Sequence, residues 1–186
     1  IKMRAYDIIY KKRQGLANTK EEIDKLVNNG ITEEELHTIF DQDITMLATQ
    51  YKCTTDEMKE RLKLQYDGYH FHPATEGVFN PFSVLNAFYK REFGNYWFQT
   101  GTPTFLVKSL QKADYDLRTL MDGVEAPAVN FTEYRAEANN PIPLIYQSGY
   151  LTVKDYDKRF QIYTLGFPND EVRYGFLNFL IPFIPQ

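Results

Sequence analysis

His70 and His72 stand one residue apart, so in an extended segment their imidazoles point to the same side. With Asp67 close by they could supply three ligands to a metal, yet nothing else of ligand type lies near them in sequence. The ordinary alternative is an aromatic loop whose imidazoles bond to backbone groups. That alternative is preferred, and no metal is expected. Asp155 and Asp157 could pair as acid and base, although hairpin turns favour Asp for its own backbone bonding. Thr100-Gly101-Thr102-Pro103-Thr104 opens a predicted helix, where free amides could bind an anion or where the Thr simply caps. Lys154, Lys158 and Arg159 surround a predicted hairpin turn and are candidate contacts to nucleic-acid phosphates. The aromatic stretches Tyr66 to Phe71 and Tyr96-Trp97-Phe98 could stack bases or ligands. With no basic groove beside them, packing of a long loop onto helices is the better expectation.

Nucleotide hydrolysis has no visible apparatus. A phosphate-cradling loop needs glycines at fixed spacing followed by Lys and Ser or Thr, so that backbone amides and the ammonium surround the phosphates. Gly94 to Gly101 has no such ending, and Lys108-Ser109 falls inside a predicted helix. There is no dinucleotide fingerprint, no paired-cysteine zinc site and no His-Glu-x-x-His. The chain by itself is expected not to be an enzyme and to hold no cofactor.

These residues must be placed by a chain of 186 residues with a net charge of −4, a size suited to one domain or two small ones. Charged residues at 25% and hydrophobic ones at 43% describe a globular protein, and the acidic balance argues against a dedicated nucleic-acid coat. Aromatic residues reach 16%, and each buried ring removes on the order of 150–250 Å² from water. Cys53 is the single cysteine, so no internal disulfide framework exists, and a reducing, cytoplasmic compartment is expected. The longest apolar run, Phe176 to Ile184, is broken by Asn178 and Pro182 and falls short of the roughly 20 residues of a membrane span. No secretory signal pattern is present. The first residue is Ile1 rather than Met, which points to part of a longer protein.

The opening is basic, with Lys2, Arg4, Lys11, Lys12 and Arg13, and reads as a solvated face or terminus. Thr19 to Glu22 has capping-box spacing ahead of Ile23, Leu26 and Val27, with Gly30 as a stop. Thr32 to Glu35 is a second capping box, flanked by Ile31 and Leu36 as a staple. From there Leu36, Ile39, Phe40, Ile44 and Leu47 predict one helix to about Tyr51. Thr54 and Glu57 repeat the device, with Cys53 as a buried small residue at the staple position. Asn80-Pro81 starts a helix with Phe82, Leu85, Phe88 and Tyr89 as its apolar face and Gly94 as its end. Thr102-Pro103 starts another, and Asp116 caps a short turn through Leu120. Residues 122–140 read as a loop or an irregular strand. Pro141 to Gln147 is a short helix stopped by Gly149. Tyr150–Lys154 and Phe160–Leu165 form a hairpin about Asp155 to Lys158, and a closing helix carries Val172, Phe176, Phe179 and Leu180. The fold class is mainly α with a small β-hairpin (α+β).

Five segments taken together carry a resemblance: Tyr66-Asp67-Gly68-Tyr69-His70-Phe71, Asn80-Pro81-Phe82-Ser83, Gly94 to Pro103, Gln147 to Thr152, and Leu165-Gly166-Phe167-Pro168-Asn169. In this order and spacing they resemble the bacterial AAA-ATPase-like family, which is usually followed by a PD-(D/E)XK nuclease domain. The resemblance covers about residues 31–182. It implies that the P-loop, the acidic Mg²⁺-binding strand and the sensor strand lie upstream of the region matching Ile31. The nuclease carboxylates and lysine would lie downstream of Pro182. ATP and Mg²⁺ would therefore belong to the longer protein.

On that resemblance the chain divides into a divergent basic segment (1–30), a helical lid-like region (31–140), and a winged-helix-like hairpin with closing helix (141–186). Its expected role is a non-catalytic lid that couples nucleotide state to the rest of the ATPase domain and to an adjoining nuclease-like domain. Tyr66, Asp67, Tyr69, His70 and Phe71 form the expected ligand- or partner-facing loop. The alternatives are a nucleic-acid-binding module working through Lys154, Lys158 and Arg159, and protein–protein docking through exposed aromatics. No membrane partner is expected.

Overall fold

The computed structural model describes residues 30–70, 72, 74–97, 117–128 and 140–180. They form a mainly helical α+β protein with one small antiparallel sheet. Two compact units divide them. One holds 30–67 and 77–94; the other holds 68–76, 95–97, 117–128 and 140–180 within those described. The chain therefore passes between units at 67–68, 76–77 and 94–95. The expected Thr19–Glu22 helix start, the basic opening, the helix from Thr102 and the Asp116 cap lie outside the described residues.

The first unit is built from four helices: α1 (Glu33–Ile39), α2 (Asp41–Tyr51), α3 (Thr55–Tyr66) and α4 (Pro81–Lys90). Ahead of α1, Ile31 and Phe79 exchange both backbone hydrogen bonds, at 3.1 and 2.8 Å. The capping boxes ahead of α1 and α3 form as the spacing predicts. Thr32 Oγ1 accepts from Glu35 N–H at 3.2 Å while Thr32 N–H donates to Glu35 Oε2 at 3.0 Å. Thr54 and Glu57 repeat this at 3.2 and 2.8 Å. Each cap satisfies amides that a helix start leaves open.

Four local expectations are corrected in this unit. The single helix from 33 to 51 is two, divided at Phe40 (φ −108°, ψ 19°). The break is cheap, because Phe40 N–H still donates to Leu36 O and its own carbonyl still accepts from Ile44 N–H. Phe40 keeps its place in the core, stacked on Phe88 at 5.4 Å. On α4 the buried face is Pro81, Ser83, Val84, Ala87 and Phe88, whereas Phe82 and Tyr89 are exposed. This helix touches α2 and α3, and its buried face mixes the small Ser83 and Ala87 with Pro81, Val84 and the Phe88 ring. The helix ends at Arg91, left-handed at φ 57°, not at Gly94. Gln50 Nε2 donates to the Arg91 carbonyl at 2.7 Å and ties that end down. Cys53 is half-buried.

The second unit begins, among described elements, with a 3₁₀ turn (Leu117–Met121) and β1 (Val124–Pro127). α5 (Ile142–Gln147), β2 (Thr152–Asp157), β3 (Ile162–Gly166) and α6 (Asp170–Leu180) follow. The sheet order is β1-β3-β2, all antiparallel. Val124 and Val153 both sit opposite Leu165, and the register of β2 slips between Val153 and Asp155. The hairpin is present, but β2 runs through Asp157, so the turn falls at 158–161 rather than at Asp155 to Lys158. Asp157 Oδ1 accepts from the N–H groups of Arg159 and Phe160 (2.8 and 3.0 Å), and Gln161 takes a left-handed φ of 55°. The core packs Leu120, Ala126, Ile142, Ile145, Tyr150, Leu151, Val153, Leu165, Val172 and Phe176. Among the described residues, no helix is long and apolar enough to cross a membrane.

Candidate functional site

Tyr66 and Asp67 end α3 in the first unit. Tyr66 is fully buried, and its hydroxyl accepts from Gly94 N–H at 3.0 Å and donates to Gly94 O at 3.1 Å. Its ring stacks on Phe93 at 5.9 Å. Both the polar and the apolar part of this tyrosine are spent on anchoring the 93–94 segment. Asp67 caps the C-terminus of α3, is buried, and its N–H donates to Lys63 O.

The next residues belong to the second unit. Gly68 turns the chain at φ +94°, a conformation open to glycine and costly for other residues. Tyr69 packs against the core of that unit. His70 N–H donates to Thr152 Oγ1 at 2.9 Å, and the Thr152 hydroxyl donates back to His70 O at 3.1 Å. The His70 ring places Nδ1 2.8 Å from Thr75 O; a carbonyl only accepts, so Nδ1 carries the proton. His72 Nδ1 instead accepts from Ala74 N–H at 3.1 Å. The two imidazoles thus serve separate backbone bonds within their own loop. Among the described residues, no group of three or more His, Cys, Asp or Glu side chains is placed to hold a metal. Phe71 lies outside the described residues.

The three basic candidates part company. Lys154 Nζ donates to Pro168 O at 3.0 Å, so its charge is directed at the loop before α6. Lys158 and Arg159 are exposed on the hairpin turn, and the Arg159 guanidinium lies 5.1 Å from the centre of the Phe160 ring. Asp155 Oδ1 accepts from the N–H of Tyr156 (2.7 Å), so it and Asp157 both serve local backbone bonds in the hairpin.

Two further residues complete the arrangement: Asn169, from the fifth sequence segment, and Glu171, which nothing in the sequence singles out. Glu171, fully buried in the first turn of α6, accepts from Trp97 N–H at 2.9 Å through Oε1. Asn169 caps α6 by accepting from Val172 N–H at 3.1 Å. Its Asn-Asp-Glu run is a readable helix-start signal, but the burial of Glu171 leaves no trace in sequence. Trp97 meets Tyr150 edge-on at 4.9 Å, and Tyr150 meets Phe176 at 5.2 Å. Burial pushes the nearby Tyr146 phenol above its ordinary value of 10.0, with Tyr163 adding to the effect.

The second unit therefore gathers residues of four of the five sequence segments. Gly68 meets Pro168, His70 meets Thr152, and Trp97 meets Tyr150. Together these residues join a strand pair, a helix start and two loops.

No family model matches the chain, and no solved structure matches it. Among curated proteins, one described as "Uncharacterized protein in vnfD 5'region", from Azotobacter chroococcum mcd 1, is 31% identical over 146 residues. The match covers 77% of this chain and 26% of that protein. The chain spans about a quarter of the length of the curated relative it matches.

Proposed function

We propose that the chain is the non-catalytic lid and coupling region of a bacterial AAA-ATPase-like protein, with a winged-helix-like element in its second unit. ATP and Mg²⁺ would be bound by other parts of that protein, whose compartment is the cytoplasm. The observation that carries this reading is the convergence of Gly68–His70, Trp97, Gly149–Thr152 and Phe167–Asn169 in one unit. Residues that resemble a family signature are here spent on joining loops to a sheet, which is the work of a structural relay. A relay acts when its contacts differ between two states of its neighbour. The three chain passages between units fit that role, since displacement of one is carried to the other by covalent chain.

Two measurements test the proposal. The 186-residue chain should show no ATP turnover. In a full-length protein carrying this region, amide exchange of residues 67–70 and 165–171 should differ between ATP-analogue and ADP states. Turnover by the chain itself, lost on substituting its own residues, would defeat the reading. So would identical exchange in both nucleotide states.

A second reading is favoured by the exposure of Lys158 and Arg159 on the hairpin turn: the turn contacts the phosphate backbone of a nucleic acid. Changing both to Glu, with Lys154 left in place, should abolish a DNA affinity that weakens steeply with salt. Absence of salt-dependent binding in the unaltered chain rejects it.

A further inference from the structure

Lys154 runs between two glycines. A Cβ on Gly166 would stand 3.2 Å from Lys154 Cγ, and a Cβ on Gly68 would stand 3.5 Å from Lys154 Nζ. The ammonium ends on the Pro168 carbonyl at 3.0 Å. That same carbonyl oxygen would lie 2.2 Å from a Cβ on Gly68, so only glycine permits this approach. Thr152, also on β2, then engages both backbone polar groups of His70 with one hydroxyl. Gly68, Tyr69 and His70 are held on the second unit by these joints, while Asp67 and Gly77 on either side of the excursion belong to the first unit.

The joints through Thr152 and Lys154 are hydrogen bonds, Gly68, Tyr69 and His70 are each only half-buried, and Tyr69 adds a contact with the core while Thr152 itself is buried. Water can replace such bonds once the half-buried segment lifts, and segments held by few contacts open locally at lower free energy than a core does. Asp67, which caps α3, is joined to Gly68 by one peptide bond. A displacement at the end of α3 therefore pulls on this segment directly.

We propose that Gly68–His70 is a releasable strap, pinned to β2 by Thr152 and to the Pro168 turn by Lys154, with docked and released states. Lys154 and Thr152 are its positioning residues, and glycine at 68 permits the close approach to the Pro168 carbonyl on which the pin ends. Nothing in the strap requires a bound nucleotide, so failure of the lid assignment leaves it standing.

Amide-resolved hydrogen exchange on the full 186-residue chain tests it. The His70 amide should exchange through an opening insensitive to low denaturant, whereas the Leu165 and Phe176 amides should follow global unfolding. Thr152→Val should speed His70 exchange by about tenfold or more, the effect of leaving polar groups unpaired, and His70 should keep its weak denaturant dependence while the Leu165 and Phe176 amides keep the steep dependence of global unfolding. Thr152→Ser should restore most of the protection. Lys154→Met, at an exposed position that leaves the core intact, should act in the same direction and decides the matter if Thr152→Val does not fold. Parallel denaturant dependence of His70, Leu165 and Phe176 in the unaltered chain overturns the proposal. An unchanged His70 rate in Lys154→Met overturns it as well.

Discussion

Lys63 Nζ lies 2.6 Å from Glu33 Oε2, joining α3 to α1 across 30 residues of sequence. The hydrogen bond from Lys63 holds the Glu33 carboxyl below its ordinary 4.5, and the same bond raises Lys63 above 10.5. A lowered carboxyl pKa contributes stability that is present above 4.5 and lost as pH falls through the folded value. The raised lysine contributes below 10.5 and loses its part as pH climbs past that. With side chains 43% and 41% exposed, solvent screening limits the pair to about 0.2–1 kcal/mol. Lys63→Met should therefore lower stability by no more than that at pH 7, and the difference should shrink in acid and in high salt, as urea titrations at several pH values would show. At this scale, the sequence placed chemistry-bearing residues well only where their partners are near neighbours. The preferred reading of His70 and His72, rings bonded to loop backbone, matches their bonds to Thr75 and Ala74. Tyr66, in the expected partner-facing loop, is fully buried with its hydroxyl bonded to Gly94, and no spacing rule announces a partner so far along the chain.

Helix starts were the most legible elements, because a cap is decided within four residues. Asn80 Oδ1 accepts from Phe82 and Ser83 N–H groups at 3.0 and 3.3 Å with Pro81 at the first helical position, as the dipeptide predicts. Asn80→Ala should cost about 1 kcal/mol and Asn80→Asp much less, measured by urea unfolding. Helix ends and faces were less legible. Arg91 stops α4 in a left-handed conformation that the sequence would assign to glycine, and Gln50, from a different helix, ties the end down. Ring size is a poor guide to the buried face of α4, where Phe82 and Tyr89 are exposed. The buried face includes the small Ser83 and Ala87 on a helix that touches α2 and α3. The hairpin was found with its turn placed early, since Asp157 is both a good strand end and a good turn acceptor.

Across the whole molecule, each unit carries its own buried set. Leu62 is fully buried in the first, and Phe176 in the second, where it touches the Tyr150 and Phe167 rings. Leu62→Ala should cost about 2–5 kcal/mol and Phe176→Ala about 3–5, a large share of the roughly 5–15 that holds a typical protein folded. Hydrogen exchange should show each acceleration concentrated in the unit that lost the side chain. The amino-acid sequence alone determined the mainly helical class, three helix starts, the late hairpin and the closing helix, because these follow from periodicity and caps acting over a few residues. Only the tertiary structure decided that β1 completes the sheet and that Gly68 lies under Pro168. It also decided that one threonine hydroxyl secures His70 from 82 residues away. Those pairings depend on burial and hydrogen bonds between distant segments, and such contacts impose no period on the chain that makes them.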